Sequence, residues 1–147
     1  MNKEEILDIL DKEGDNLKFE YLHIKCEMIR NQMKNWCGYI FIPNWHPLFD
    51  NDEAESIPCH GSVTYCEVVD NELKIGFDTA HSNDFSPYYI LDEYLSTRSP
   101  FEMTGTYRDK DYVINEIHTM VDYIYDNYPE TKRLIRESKL KELGIKD

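Results

Sequence analysis

Residues 62–78 place the tightest constraint on the fold. Two runs rich in β-branched and aromatic residues, 62–69 and 72–78, flank Asp70-Asn71, a pair that accepts the left-handed backbone of a two-residue hairpin turn. An antiparallel hairpin has to bury one face, so the rest of the chain must supply neighbouring strands and a covering layer. Alternation sets Val63, Tyr65 and Glu67 on one face and Thr64, Cys66 and Val68 on the other. Cys37-Gly38-Tyr39-Ile40-Phe41-Ile42 is a further strand-like run. Upstream, Leu17, Phe19 and Tyr21 alternate on one side, then Leu22, Ile24, Cys26 and Met28 on the other, and this change of phase predicts a bulge or a break between two strands. The same spacing permits a helix over 17–36; the frequent β-branched and aromatic residues favour strands, with 31–35 as a hairpin connection.

Helical signals sit at the two ends. Residues 2–12 read as a short amphipathic helix capped by Asn2, with Glu4 and Glu5 in its first turn, Ile6, Leu7, Ile9 and Leu10 on its apolar side, and Gly14 ending it. Val113, Ile117, Met120 or Val121, Ile124 and Tyr128 recur as the stripe of one long helix, and Pro129 opens a second that ends near Gly144. Three prolines make 43–58 a long loop and not a helix, and 79–100 reads as mostly irregular with a helical turn around Tyr89 to Leu95. The expected fold is α+β: an antiparallel sheet of about four strands in two hairpins, packed by the long C-terminal helix, with a short N-terminal helix. At 147 residues the chain reads as one domain, 1–147, with 131–147 as a C-terminal helical extension.

Charge narrows the function. Residues 43–93 carry eleven Asp or Glu against one Lys, a net −10 within a total of −13. Such a surface repels phosphate, so direct binding to a nucleic-acid backbone is not expected. The one basic stretch is 131–147, with six Lys or Arg against three acids. No run of 18 apolar residues occurs and the N-terminus lacks a signal-peptide core, so no membrane association and a cytoplasmic location are expected. Cys26, Cys37, Cys59 and Cys66 fit no Cys-x-x-Cys spacing and read as packed thiols.

Three histidines, His46, His60 and His81, fall in the acidic stretch, and the strand ends are expected to bring them to one rim of the sheet. Asp78-x-x-His81-x-x-Asp84 leaves one strand while His60 precedes its partner; imidazole and carboxylate together suit zinc, manganese or iron, and such an ion would serve hydrolysis. Against this, a histidine after a turn commonly just hydrogen-bonds its neighbours. His46, between Trp45 and Pro47, reads as a packed loop anchor. Cys59 and His60 are adjacent on extended backbone and point apart, which makes a poor nucleophile dyad. Asp109 or Asp111 caps the long helix, and Arg108 is a partner for the acidic rim.

Four phrases assemble these residues: Cys37-Gly38-Tyr39-Ile40 with Pro43 and His46-Pro47; His60-Gly61-Ser62-Val63-Thr64-Tyr65; Gly76-Phe77-Asp78-Thr79-Ala80-His81 with Asp84; and Tyr107-Arg108-Asp109-Lys110-Asp111-Tyr112-Val113. The set resembles a family of small proteins encoded by bacteriophages and prophages, over about residues 18–128. Ser62 and Thr79 depart from the family pattern, which has Gly and often Cys at those places. The resemblance implies a viral accessory protein acting in a bacterial cytoplasm, which makes a host protein the expected partner. The leading expectation is an inhibitor, without a cofactor, that binds a bacterial defence or nucleic-acid machine such as a CRISPR nuclease through Asp50, Asp52, Glu53 and Glu55. The alternatives are a metal-dependent hydrolase with His60, Asp78, His81 and Asp84 around the ion, and a sponge that grips a nucleotide signal with Trp45, Tyr65 and Arg108.

Overall fold

The computed structural model describes residues 1–92 and 105–144. Its elements are α1 (Lys3–Glu13), β1 (Asn16–Tyr21), β2 (Ile24–Arg30), β3 (Trp36–Pro43), β4 (Tyr65–Val69), β5 (Glu72–Asp78), α2 (Tyr88–Leu91), α3 (Lys110–Asn127) and α4 (Thr131–Glu142). The chain is α+β, with one antiparallel sheet in the order β1-β2-β3-β5-β4. Among the described residues no helix is long and apolar enough to cross a membrane.

The sheet has five strands where about four were expected, because the phase change at Tyr21 and Leu22 is a complete hairpin turn. Leu22 and His23 take φ of 49° and 68°, the doubly left-handed geometry of a two-residue connection, so β1 and β2 pair from Tyr21↔Ile24 to Asn16↔Ile29. Asp70 and Asn71 (φ 50° and 64°) make the anticipated turn between β4 and β5. Asn31 closes the β2–β3 turn by accepting hydrogen bonds from the N–H groups of Met33 and Asn35. The loop after β3 is more ordered than three prolines suggested, since it winds into two 3-10 turns, Pro47–Asp50 and Asp52–Ser56. His46 and Asn51 cap these turns by accepting from Leu48 N–H and Glu53 N–H. Of the expected turn at Tyr89 to Leu95, α2 forms the first part, and Glu93 onward lies outside the described residues.

One sheet face holds the core. Ile24, Cys26, Met28, Trp36, Ile40, Ile42, Leu73, Ile75 and Phe77 pack against Val113, Ile117, Met120, Val121 and Ile124 of α3. Full burial of each large aliphatic side chain contributes about 1.5–3 kcal/mol, so this layer dominates the stability. Gly38 permits it: a Cβ there would sit 2.8 Å from the Phe77 ring and 3.0 Å from Ile117 Cγ1. Only hydrogen at that position lets α3 lie this close to β3.

Glu13, the last residue of α1, ties the elements together. Its Oε1 accepts from Arg30 Nη2 at 2.9 Å, Trp36 Nε1 at 3.0 Å and the Tyr107 hydroxyl at 2.5 Å, and its Oε2 accepts from the Lys110 N–H at 3.0 Å. Arg30, its side chain 2% exposed, also donates to Gly14 O and Lys34 O and lies over the Trp36 ring. Burial pushes the Glu13 carboxyl up, but the bonds from Tyr107, Lys110 and Trp36 and the Arg30 charge outweigh it and hold the group below its ordinary 4.5.

A carboxylate held low stabilises the fold above its unfolded pKa and loses that contribution as pH falls through the folded value. Chemical denaturation is therefore expected to show stability declining below about pH 4.5. Glu13→Gln should lose about 3 kcal/mol at neutral pH, by leaving Arg30 buried without its counter-charge, and should flatten that acid limb. An unchanged midpoint for the variant would refute this role.

Candidate metal centre

The segment after β5 is bolted in place before it presents any chemistry. Thr79 donates its N–H and its hydroxyl to Trp36 O, and Asn35 Nδ2 donates to Thr79 O and Phe85 O at 2.6 and 3.2 Å. Between these anchors residues 81–84 form a turn, with the Asp84 N–H on His81 O and the Asp84 side chain accepting from the His81 N–H. Thr106 joins from the approach to α3, exchanging bonds with Asn83 and Phe85.

Asp84, its side chain 1% exposed, is the middle of a cluster. Its Oδ2 takes His60 Nε2 at 2.8 Å and His81 Nδ1 at 3.1 Å, and its Oδ1 accepts from Arg108 Nε at 2.9 Å. Desolvation pushes this carboxyl up, but the hydrogen bonds from His60, Arg108 and the His81 backbone bring it down to about 2. The far nitrogen of His60, Nδ1, meets the Tyr112 hydroxyl at 2.7 Å, and Arg108 lies over the Tyr112 ring. One donor atom from each of His60, His81 and Asp84 lies within 4.8 Å of the others, compact enough for a single ion. His81 is the open side of the group, at 36% side-chain exposure.

Of the four residues expected around an ion, three meet there. Asp78 stands at the margin: its Oδ1 accepts from the Ala80 N–H and lies 3.7 Å from His81 Nδ1. Arg108 lands on Asp84. His46 does not join them. β3 runs antiparallel to β5 with Pro43 beside Glu72 and Cys37 beside Asp78, so the residues following β3 emerge at the opposite end of the sheet from those following β5. There His46 is 3% exposed, accepts from Leu48 N–H through Nδ1 and meets Thr131 Oγ1 through Nε2; burial lowers its pKa and keeps it neutral. It pins the start of α4 to the loop.

The grip of Trp45, Tyr65 and Arg108 on a nucleotide is likewise not formed. Trp45 lies at the His46 end and Arg108 at the Asp84 end, while Tyr65 packs edge-on to Tyr39 under Lys74, on the sheet face away from α3. Nor is there a reactive thiol: burial pushes Cys59, next to His60, up to about 12, along with Cys26, and Cys37 to about 11. Among the acids of the loop, Glu53 accepts from the Tyr128 hydroxyl, while Asp50, Asp52 and Glu55 are exposed with no ion pair among the described residues.

Two residues of the quoted phrases carry roles that the sequence did not assign. Tyr112 stands in the phrase from Tyr107 to Val113, but its role depends on the Asp109 cap, which accepts from the Tyr112 N–H and places it in the first turn of α3. Gly61, at φ 66°, lies flat against His81, where a Cβ would overlap Cε1 and Nε2 of the ring. Comparison with protein-family models, with curated proteins and with solved structures returned no match to this chain.

Gly61→Ala is expected to push the His81 ring off Asp84 and to cost about 1–2 kcal/mol for the left-handed backbone. Imidazole signals of His81 in an NMR spectrum should move while those of His46, at the far end of the sheet, stay put. Unmoved His81 signals would contradict the packing described.

Proposed function

We propose that His60, His81 and Asp84 hold a divalent cation, zinc or manganese, and that the protein is a metal-dependent hydrolase. The observation that carries this reading is the convergence of two imidazoles and one ionised, buried carboxylate. A divalent ion there supplies Lewis acidity and activates water near neutral pH. The chain's own residues do the rest: the Tyr112 hydroxyl on Nδ1 orients the His60 ring, as outer partners of metal-binding histidines commonly do. Arg108 holds the second oxygen of Asp84, and its terminal nitrogens, without a hydrogen bond among the described residues, are donors for an anionic substrate group. Asp78, half-exposed beside His81, accepts the proton from the attacking water.

Protein purified without chelator is expected to carry metal by elemental analysis. Zinc or manganese at about 100 times its dissociation constant should raise the melting temperature by roughly 5–10 °C. His81→Ala should abolish the shift, and Asp78→Asn should keep the shift while losing hydrolysis. Wild-type protein with no bound metal and no thermal response would remove the proposal.

The carboxylates of Asp50, Asp52 and Glu55, exposed on short, capped turns and without an ion pair among the described residues, favour a second reading: a bacteriophage accessory protein that binds and inhibits a bacterial defence or nucleic-acid machine, such as a CRISPR nuclease. A rigid acidic edge suits a surface that otherwise holds phosphates. Inhibition of a purified CRISPR nuclease should then fall at about 0.5 M salt, where the Debye length shrinks to a few ångströms. It should also fall when Asp50, Asp52 and Glu55 become Asn, Asn and Gln, and inhibition that survives both changes would sink this version.

A further inference from the structure

The chain's charge is unevenly placed at two helices that never meet within one molecule. α1, Lys3–Glu13, contains five acids and two lysines, and α4, Thr131–Glu142, contains five bases and two acids. On α1 the exposed residues Glu4, Leu7, Asp8 and Asp11 share one face, at spacings of three and four, and Leu7 leaves 49% of its surface in solvent. On α4, Lys132, Arg136 and Lys139 line a groove of about 570 Å³ whose apolar surface comes from Leu22, Tyr125, Ile135 and Leu140. None of the three cations has a carboxylate partner among the described residues; Lys139 instead donates to His23 Nδ1 at 2.5 Å.

The two rows match. Glu4, Asp8 and Asp11 repeat at steps of four and three, as do Lys132, Arg136 and Lys139, about 10 Å along each helix. Each row has apolar surface beside it, the Leu7 side chain on α1 and the groove floor on α4. We propose that α1 of a second copy of this chain docks in the α4 groove, Leu7 against the apolar floor and the three acids against the three cations. The exposed Asp8–Lys12 pair, 2.8 Å apart on one helix, contributes little to the monomer and does not stand in the way.

The contact cannot close within one molecule. α1 leads into β1 at Asn16, where Gly14 and Arg30 meet, whereas the groove is built on the Leu22–His23 turn at the other end of that strand, about 20 Å away. Each copy therefore offers an acidic helix at one end and a basic groove at the other, a head-to-tail arrangement.

Light scattering and sedimentation on the full chain test this at low salt and up to about 1 mM protein, since one helix in a groove falls below the size of a standard interface. Wild type should exceed the monomer mass, and about 0.5 M salt should weaken the association. Reversing the basic row (Lys132→Glu, Arg136→Glu, Lys139→Glu) or the acidic row (Glu4→Lys, Asp8→Lys, Asp11→Lys) should each weaken self-association by about tenfold or more. Mixing the two reversed proteins should restore it as a mixed complex. Leu7→Ser, a surface change that leaves the monomer folded, should weaken it as well. A wild type that stays monomeric throughout overturns the proposal. So does association indifferent to salt and to both reversals, which would mean that some other surface joins the copies.

Discussion

Everything at the Asp84 end of the sheet depends on the half-buried carboxylate of Glu13. Arg30 cannot be desolvated alone, and Trp36 and Tyr107 bring polar hydrogens into an otherwise apolar junction; one carboxylate answers all three and the first amide of α3 as well. Because Glu13 grips both Tyr107 and Lys110, it fixes the two residues between them. One of these, Arg108, reaches Asp84; the other, Asp109, caps α3 by accepting from the Tyr112 N–H and so sets where Tyr112 begins its climb toward His60. A helix end near the N-terminus thereby sets the geometry of a cluster assembled from residues 60, 81, 84, 108 and 112.

The fold was legible where local chemistry announces itself. The Asn2 and Asp109 caps, the Asp70-Asn71 turn and the stripe on α3 are each written in residues whose preferences match their positions. The first hairpin was half hidden, since Leu22 and His23 are not turn formers; they accept φ values near 50–70° because the pairing of β1 with β2 demands it. The sequence pattern could register the break and not the strand it created. Direction was the other blind spot. Grouping His46 with His60 and His81 treated every strand end as one rim, whereas the antiparallel register of β3 against β5 sends their exits to opposite ends.

The candidate site was legible in its members more than in its arrangement. The phrases around His60, around His81 and Asp84, and around Arg108 meet in space, and the glycine of the first phrase, Gly38, seats the helix that carries the last. Thr79 uses its hydroxyl on Trp36 O, and Ser62 occupies φ 70°, a conformation in which glycine is at ease. What no pattern could convey is the protonation: Asp84 is charged because hydrogen-bond donors surround it, two of which, His60 and Arg108, come from 24 residues to either side, while His81 lies three residues away.

Tyr112 gives this cluster a further property. A phenol hydroxyl both donates and accepts. When the proton of His60 sits on Nε2, that nitrogen donates to Asp84 and Nδ1 accepts from Tyr112; when the proton sits on Nδ1, the tyrosine oxygen receives it and Nε2 is a free lone pair. With Asp84 ionised only the first tautomer satisfies the 2.8 Å contact, because a carboxylate accepts and cannot donate; the second sets two lone pairs face to face and becomes favourable only when a cation stands between them. Tyr112 can follow either state, since its hydroxyl rotates from donor to acceptor, so the tautomer of His60 is set by what faces Nε2, and a method that sees hydrogens reads that directly.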